Sequence, residues 1–149
     1  MVFSTIQILK MIIVLFGQPH SGKSTLANKI DAHNIDGDKL RELFANKDYS
    51  KEGRIKNLNR ASDIAHYINS TGESVVLSLV YPYKEARDYL NSLTKDVKWI
   101  YLFYNGERGR EANHVKDFEY PYLEENSLQI DTSANNIEQS LIKINSYVG

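Results

Sequence analysis

The sequence contains no cysteine, and its positive and negative charges nearly balance. Both features exclude certain kinds of site and partner. Without cysteine there is no disulfide framework, no thiolate metal site and no cysteine nucleophile, which fits the reducing cytoplasm. The 18 Lys and Arg residues balance 19 Asp and Glu residues, so no basic field argues for nucleic-acid binding. The apolar run at residues 11–16 is far shorter than the roughly 20 residues that cross a bilayer. We therefore expect a cytoplasmic protein with neither a nucleic-acid nor a membrane partner.

The length of 149 residues predicts a single domain, 1–149. Met11 opens the first apolar run and could be a natural start, in which case residues 1–10 are an N-terminal extension. Residues 105–126 form a charged stretch too long for an ordinary connection, and such a stretch is either a functional lid or disordered. We treat residues 105–126 as a lid-like loop.

Short apolar runs alternate with helical patterns along the chain. Strands are predicted at residues 11–16, 34–36, 74–80, 97–104 and 128–131. Helices are predicted at residues 24–33, 38–44, 53–70, 83–93 and 136–147. Strands that alternate with helices indicate a parallel sheet covered on both faces. The predicted class is α/β, a three-layer sandwich with a five-stranded parallel sheet and helices on both faces.

The segment GQPHSGKST, residues 17–25, has the spacing of a phosphate-binding loop. It follows a predicted strand and opens a predicted helix, which is the context that the motif requires. Its glycines let backbone N–H groups face a phosphate, while Lys23 can bridge the β- and γ-phosphates and Ser24 can ligate Mg²⁺. The predicted nucleotide-binding residues are Gly17, Gln18, Pro19, His20, Ser21, Gly22, Lys23, Ser24 and Thr25. ATP with Mg²⁺ is the expected ligand, and a Gly-Ser turn before a helix is the alternative.

Two carboxylates, Asp36 and Asp38, stand where the second predicted strand ends. Ligands of such sheets bind at the carboxyl ends of the strands, so one carboxylate would orient Mg²⁺ and the other would accept the proton of an acceptor hydroxyl. The structural alternative is an Asp-Gly turn followed by Asp38 as a helix N-cap. On the functional interpretation Lys23, Asp36 and Asp38 are catalytic, and Ser24 and Asp36 hold the metal.

Arginines and an aromatic residue follow the acidic pair. Arg54, Asn57 and Arg60 recur every third residue, so they neighbour each other on a helix, and Arg41 and Tyr49 precede them. Such a cluster could hold an anionic acceptor with a flat ring. A solvated helix face has the same composition and is the alternative.

In their order along the chain, these motifs resemble those of the adenylylsulfate kinase family. GQPHSGKST, DGDKLR and YSKEGRIKN are similar to the family's phosphate loop, its Asp-Gly-Asp-Asn-x-Arg segment and its Phe-Ser-x-x-Asp-Arg-x-x-Asn segment. YPYKEAR, KDFEYP and LQIDT resemble later family elements, so the resemblance runs from residue 11 to about residue 145. It implies a P-loop kinase fold and transfer of the ATP γ-phosphate to the 3′-hydroxyl of adenosine 5′-phosphosulfate (APS).

The resemblance also implies an acceptor site and an assembly. The acceptor-side residues that it implicates are Arg41, Tyr49, Arg54, Asn57, Pro82 and Tyr83. Tyr49 would stack on the adenine of the acceptor, Asp38 would orient the attacking hydroxyl, and Asp36 would lie beside Mg²⁺. Family members often form dimers, which makes a homodimer one expected assembly.

The sequence departs from the family pattern on the acceptor side. Gly53 stands where the family has Asp, Asn59 replaces an arginine and Lys39 replaces Asn. Tyr81 replaces a Ser before Pro82 and would add bulk where the acceptor should lie.

The lid is also shorter than in the family, and it lacks the family's Lys-rich segment. Arg108, Arg110 and Lys116 could supply the missing cations, and Arg110 is a candidate to stabilise charge on the transferring phosphoryl group. A mobile polar loop is the alternative for this stretch. Three other functions stay open: a kinase for another small hydroxyl compound, a nucleotide-binding module without turnover, and a polynucleotide kinase.

Overall fold

A computed structural model describes residues 5–8, 10–106, 114–121 and 126–149. Its strands are β1 (Ile6–Gln7), β2 (Ile12–Phe16), β3 (Ile30–Asp31), β4 (His33–Asp36), β5 (Val75–Ser78), β6 (Val97–Phe103) and β7 (Ser127–Asp131). Its helices are α1 (Lys23–Ala27), α2 (Gly37–Leu43), α3 (Lys51–Ser70), α4 (Lys84–Leu93) and α5 (Ile137–Val148). A five-stranded parallel sheet has the order β4-β5-β2-β6-β7, and β1 pairs separately with β3.

The central strand β2 supplies side chains to both faces of the sheet. Ile12, Val14 and Phe16 pack with the apolar faces of α3 and α4, while Ile13 and Leu15 pack with α1 and α5. All five side chains are at most 1% exposed, because the strand has neighbours on both edges and helices on both faces. This confirms the predicted three-layer α/β architecture.

The first predicted helix, at residues 24–33, was too long. Helix α1 ends at Ala27, and the chain then forms β3 and β4. Ile30–Asp31 pairs in parallel with Ile6–Gln7, and His33–Asp36, which contains the strand predicted at residues 34–36, pairs in parallel with Val75–Ser78 of β5. These pairings outweigh the local helical pattern, because backbone hydrogen bonds to a neighbouring strand are available only in the folded sheet.

Residues just before Met11 pack against the domain. Ile6–Gln7 pairs with Ile30–Asp31, and Ile8 is 8% exposed in the core beside α1 and α5. The hydroxyl of Ser74 donates a hydrogen bond to the Ile8 carbonyl oxygen (3.1 Å). Part of the segment that was predicted as an extension is therefore a component of the folded chain.

Side-chain caps set two of the helix starts. Ser50 accepts a hydrogen bond from the Gly53 backbone N–H (3.2 Å), so α3 begins at Lys51, two residues before its predicted start. Asn136 and Gln139 form a capping box at the start of α5. In the part of the chain that the structure describes, no helix combines the length and apolar character needed to cross a membrane.

Candidate active site

A cleft of about 550 Å³ opens at the carboxyl ends of the parallel strands. The phosphate loop and α1 form one wall, and α2, α3 and the segment after β5 form the other. Its lining residues are Pro19, His20, Gly22, Lys23, Ser24, Thr25, Asp36, Gly37, Asp38, Arg41, Tyr49, Arg54, Asn57, Leu58, Ser78, Leu79, Val80, Pro82 and Val115. Most of the residues that the sequence predicted for donor and acceptor binding therefore meet in one cavity.

Backbone conformation explains the glycines of the phosphate loop. Gly17 has a φ of 149°, and a Cβ there would overlap the carbonyl oxygen of Leu102 on the neighbouring strand. Gly22, which immediately precedes α1, has a φ of 99°. His20 between them also adopts a positive φ of 67°, a conformation that histidine tolerates better than most residues. The chain turns tightly enough here to direct its backbone N–H groups into the cleft.

Lys23 folds back onto its own loop. Its ammonium donates hydrogen bonds to the carbonyl oxygens of Gly17 (3.1 Å) and Gln18 (2.8 Å). Burial lowers the pKa of Lys23 to about 8, and the negative charges of Asp38 and Asp36 offset only part of that effect. A half-buried cation that, among the described residues, bonds only to neutral oxygens of its own loop is well placed to receive a phosphate.

Gln18 and Ser21 hold the phosphate loop in place instead of facing the cleft. The Gln18 amide donates to the Val115 carbonyl (3.0 Å), and its oxygen accepts from the Val115 N–H (2.8 Å). Thr132, which follows β7, donates from its hydroxyl to the Ser21 carbonyl oxygen (3.0 Å). Gly17, Gln18 and Ser21 are absent from the lining, while the other predicted loop residues line it. The pairing of Gln18 with Val115 joins residues 97 positions apart and could not be read from the sequence.

The two carboxylates of the acidic pair have different surroundings. Asp36, and not Asp38, is the N-cap of α2: its Oδ1 accepts from the N–H groups of Asp38 (2.9 Å) and Lys39 (3.2 Å). Asp38 lies in the first helical turn, exposed and lining the cleft. Among the described residues its carboxylate accepts no hydrogen bond, so the structure leaves it available for a ligand.

Two buried polar groups in the cleft lack a partner among the described residues. Asn57 on α3 is 4% exposed and Ser78 at the end of β5 is 5% exposed, and neither Asn57 Oδ1 nor Ser78 Oγ has a hydrogen-bond partner. Buried polar atoms are nearly always satisfied, so an unpaired one in a cavity wall points to a ligand. Asn57 was predicted, whereas Ser78 was missed. The signal for Ser78 was a lone serine in the otherwise apolar run VVLSLV.

Arg41 organises the loop that carries Tyr49. Its guanidinium donates to the carbonyl oxygens of Asn46 (3.2 Å) and Asp48 (3.0 Å), and it lies 4.1 Å from the centre of the Tyr49 ring. Tyr49 is 62% exposed and lines the cleft. The loop thus presents an aromatic surface backed by a cation, which suits stacking against a flat ring.

Arg54 and Tyr83 both lie against the carboxylate of Asp117. The Tyr83 hydroxyl donates to the Asp117 carboxylate (2.9 Å), which lies 3.9 Å from the Arg54 guanidinium. Pro82 and Arg54 line the cleft, but Tyr83 is 1% exposed and does not. The Tyr83 hydroxyl therefore holds the Asp117 carboxylate near Arg54, and a role of Tyr83 in acceptor binding stays a prediction.

Tyr81 does not obstruct the acceptor side, contrary to the prediction. A φ of 46° turns its side chain into the core, where it is fully buried, its hydroxyl is 2.9 Å from Ser62 Oγ, and its ring packs edge-on against Trp99. Arg60 is also absent from the cleft, because its guanidinium stacks on Phe44 at 4.5 Å. The predicted arginine cluster is therefore split between the cleft and a neighbouring surface.

Gly53 makes room for a carboxylate from another position. A Cβ at position 53 would overlap the backbone and side chain of Asp48. Hydrogen bonds from Ser50 lower the pKa of Asp48, so this carboxylate stays ionised beside the start of α3. The chain thus places an acidic group next to the position where the family pattern has one.

The lid region contributes a fixed segment at its carboxyl end. Glu119 donates its N–H to the Pro82 carbonyl (2.7 Å), and Arg87 donates to the Glu119 carbonyl (2.7 Å). Lys116 is exposed and does not line the cleft. The cations predicted at positions 108 and 110, Arg108 and Arg110, lie outside the described residues.

A second hollow, of about 480 Å³, adjoins the phosphate loop at Gly22 and Thr25. It lies between α1 and the turn that joins β7 to α5, and its lining includes Gly22, Thr25, Thr132 and Asn136. Gly22 and Thr25 line both cavities, so the two are continuous with the phosphate loop.

A family model described as Adenylylsulphate kinase matches residues 9–117. The chain belongs to this family. It is similar to an adenylyl-sulfate kinase of Staphylococcus epidermidis, with 27% identity over 92% of this chain and 83% of that protein. The family assignment makes the chain a phosphotransferase with a hydroxyl acceptor, as the motifs predicted.

A solved structure and a further relative are also similar to this chain. The structure of a Mycobacterium tuberculosis APS kinase in complex with AMPPNP and APS matches with a TM-score of 0.75 at 20% identity, covering 92% of this chain and 96% of that one. The similarity confirms the P-loop kinase fold. A cytidine diphosphoramidate kinase of Campylobacter jejuni is 30% identical over 100 residues, which are 61% of this chain and 59% of that protein.

Proposed function

We propose that this protein transfers the γ-phosphoryl group of ATP to the 3′-hydroxyl of APS. The observation that carries the proposal is the single cleft in which Lys23 and Ser24 face Asp38, Arg54 and Asn57. Donor-side and acceptor-side groups share one cavity, and phosphoryl transfer needs chiefly that proximity together with charge stabilisation.

The donor side accounts for triphosphate binding. The ammonium of Lys23 would exchange the carbonyl oxygens of Gly17 and Gln18 for phosphate oxygens, which are stronger partners because they are charged. The hollow between α1 and the turn after β7 would take the nucleoside, because it adjoins the phosphate loop.

The residues at the cleft fit Mg²⁺, which prefers oxygen ligands and keeps several waters. Ser24 and Asp36, the two residues predicted to hold the metal, supply oxygen ligands at the cleft. No cluster of three or more His, Cys, Asp or Glu residues that could hold a metal occurs among the described residues. In kinase sites Mg²⁺ is commonly held by one or two protein groups together with the substrate phosphates. When bound, the metal neutralises charge on the β- and γ-phosphates.

The acceptor side of the cleft has groups that suit a nucleotide-like compound that carries a hydroxyl group. Tyr49 offers an exposed ring for stacking, and Arg54 and Asn57 offer a cation and an unpaired amide oxygen in the same wall. Asp38 would accept the proton of the attacking hydroxyl, since its carboxylate is exposed to the cleft and accepts no hydrogen bond from the described residues.

The test is ADP release from Mg²⁺-ATP with and without APS, with the product identified by mass. We expect APS to stimulate ADP release and to gain one phosphoryl group on the 3′-oxygen. Tyr49→Ala should raise the KM for APS and leave the KM for ATP unchanged. ADP release that APS does not stimulate, from a protein that binds ATP, would refute the acceptor assignment.

A second acceptor class is a cytidine diphosphate derivative, which the similarity to the cytidine diphosphoramidate kinase of Campylobacter jejuni favours. Arg41 uses its guanidinium on loop carbonyl oxygens, which leaves Arg54 as the other arginine in the described lining for an anionic group. APS and a cytidine diphosphoramidate each carry about two negative charges near neutral pH, so this cation suits either acceptor. Parallel assays with APS and with a cytidine diphosphoramidate, compared by kcat/KM, separate the two acceptors.

A further inference from the structure

Ser78 occupies a position in the cleft that neither the motifs nor the proposed acceptor chemistry uses. It is the last residue of β5, the strand that lies directly beside the phosphate-loop strand β2. The side chain is 5% exposed, lines the cleft, and its hydroxyl has no hydrogen-bond partner among the described residues. A buried hydroxyl that lacks a partner costs free energy, so its retention needs a reason.

The register of the sheet places Ser78 on the donor side of the cleft. Ser78 pairs with Leu15 of β2 and with Asp36 of β4. Paired residues of neighbouring strands point to the same face, and Leu15 and Val76 pack in the core beside α1 and α5. The hydroxyl therefore points to the face that carries α1, whereas Asn57 approaches from α3 on the opposite face.

Ser24, Asp36 and Ser78 all line the cleft, and the strand register places Ser78 directly beside Asp36. Ser24 is in the first turn of α1, Asp36 ends β4 and Ser78 ends β5. In nucleotide-binding proteins with this loop, a carboxylate after a neighbouring strand usually joins the loop hydroxyl in holding Mg²⁺. At the end of β5 this chain has a neutral hydroxyl, which can hydrogen-bond to the waters that Mg²⁺ retains, as groups around a metal site commonly do.

We propose that the Ser78 hydroxyl is a positioning group for the Mg²⁺–nucleotide complex, holding the hydration shell of the metal beside Ser24 and Asp36. The proposal rests on the proposed use of Mg²⁺-ATP. It assigns Ser78 no role in acceptor binding and no direct part in proton transfer. Loss of the hydroxyl should weaken metal binding and leave the binding of metal-free nucleotide intact.

The experiment compares the full-length wild-type protein with Ser78→Ala and with a matched control, Ser127→Ala. Ser127 Oγ is also buried without a partner, but Ser127 begins β7 at the opposite end of the strands. Calorimetry measures the Kd of ADP in excess EDTA, and the electron paramagnetic resonance signal of free Mn²⁺ measures the Kd of the metal for the protein–ADP complex. Thermal unfolding of all three proteins reports their folding.

We expect Ser78→Ala to raise the metal Kd about tenfold, the lower end of the range for groups that support metal ligands. The Kd of metal-free ADP should stay within about twofold, and Ser127→Ala should match the wild type in both measurements, since its hydroxyl is remote from the metal. An unchanged metal Kd in Ser78→Ala, or an equal loss of metal-free affinity, would overturn the assignment. A wild-type protein that binds no nucleotide would refute the proposed function and, with it, this inference. If the wild type binds nucleotide and metal normally, an unchanged metal Kd in Ser78→Ala refutes only the role of Ser78.

Discussion

Nucleotide binding should take up a proton, because Lys23 is partly deprotonated in the ligand-free protein at mildly alkaline pH. Its pKa is lowered from 10.5 to about 8, chiefly by burial against its own loop. A polyphosphate beside the ammonium favours the charged form and raises this pKa again. Binding and protonation are therefore linked, and affinity falls as pH rises through the ligand-free pKa.

The size of the effect follows from that pKa. If only the protonated form binds, the apparent Kd grows by a factor of one plus the ratio of deprotonated to protonated Lys23. That factor is about 1.1 at pH 7, about 2 at pH 8 and about 11 at pH 9. Proton uptake per nucleotide bound rises correspondingly, from about 0.1 at pH 7 to about 0.9 at pH 9.

Calorimetry of ATP binding without acceptor, in two buffers of different ionisation enthalpy, measures both quantities. A range of pH 7.5–9.5 keeps the terminal phosphate ionised, because its pKa is about 6. The control is Lys23→Arg, whose guanidinium stays protonated throughout, so its affinity should be independent of pH in this range whatever its absolute value. Wild-type binding with no proton uptake at pH 8.5 would refute the burial argument for Lys23.

Three further predictions concern the cleft and its support. Asp38→Asn should lower the single-turnover rate of phosphoryl transfer by about 10²–10⁴-fold and leave ATP affinity near wild type; an unchanged rate would exclude Asp38 as the base. Tyr81→Phe leaves the Ser62 hydroxyl unpaired in the core and should cost about 1–3 kcal/mol of unfolding free energy in a urea titration. Its acceptor KM should not change, since the ring lies outside the cleft, and a raised KM would contradict that placement. Gln18→Ala removes both hydrogen bonds to Val115, and because Val115 lines the cleft this change should raise the acceptor KM. The control is Gln129→Ala on β7, which removes the hydrogen bond to the Pro121 carbonyl oxygen.

Most of the fold could be predicted because its signals are local. A buried strand such as residues 12–16 is continuously apolar, and α3 and α5 carry their own caps and apolar stripes. The end of α1 was misjudged because Ile30–Asp31 forms a strand only through pairing with Ile6–Gln7, whereas the strand predicted at residues 34–36 is present. No local pattern shows that a partner strand will be present.

The donor half of the site was also largely predictable, while the acceptor half was not. A phosphate loop is built from contiguous residues, so its spacing can be recognised in the sequence. Its glycines, such as Gly17 and Gly22, mark positions of positive φ. The acceptor wall combines segments from several elements, and the orientation of each side chain depends on its backbone. Tyr81 shows this most clearly, because a single positive φ turns its ring from the cleft into the core.

The sequence by itself determined the order of the helices and of the five strands of the main sheet, the phosphate loop and the acidic pair that follows the second predicted strand. These features depend on periodicity, turn chemistry and spacing, which act over a few residues. Only the tertiary structure decided that Gln18 binds Val115, that Arg60 leaves the cleft, and that Ser78 shares a face with Asp36. Those outcomes depend on strand register and on contacts between segments far apart in the chain, because a side chain's surroundings exist only once the sheet has formed.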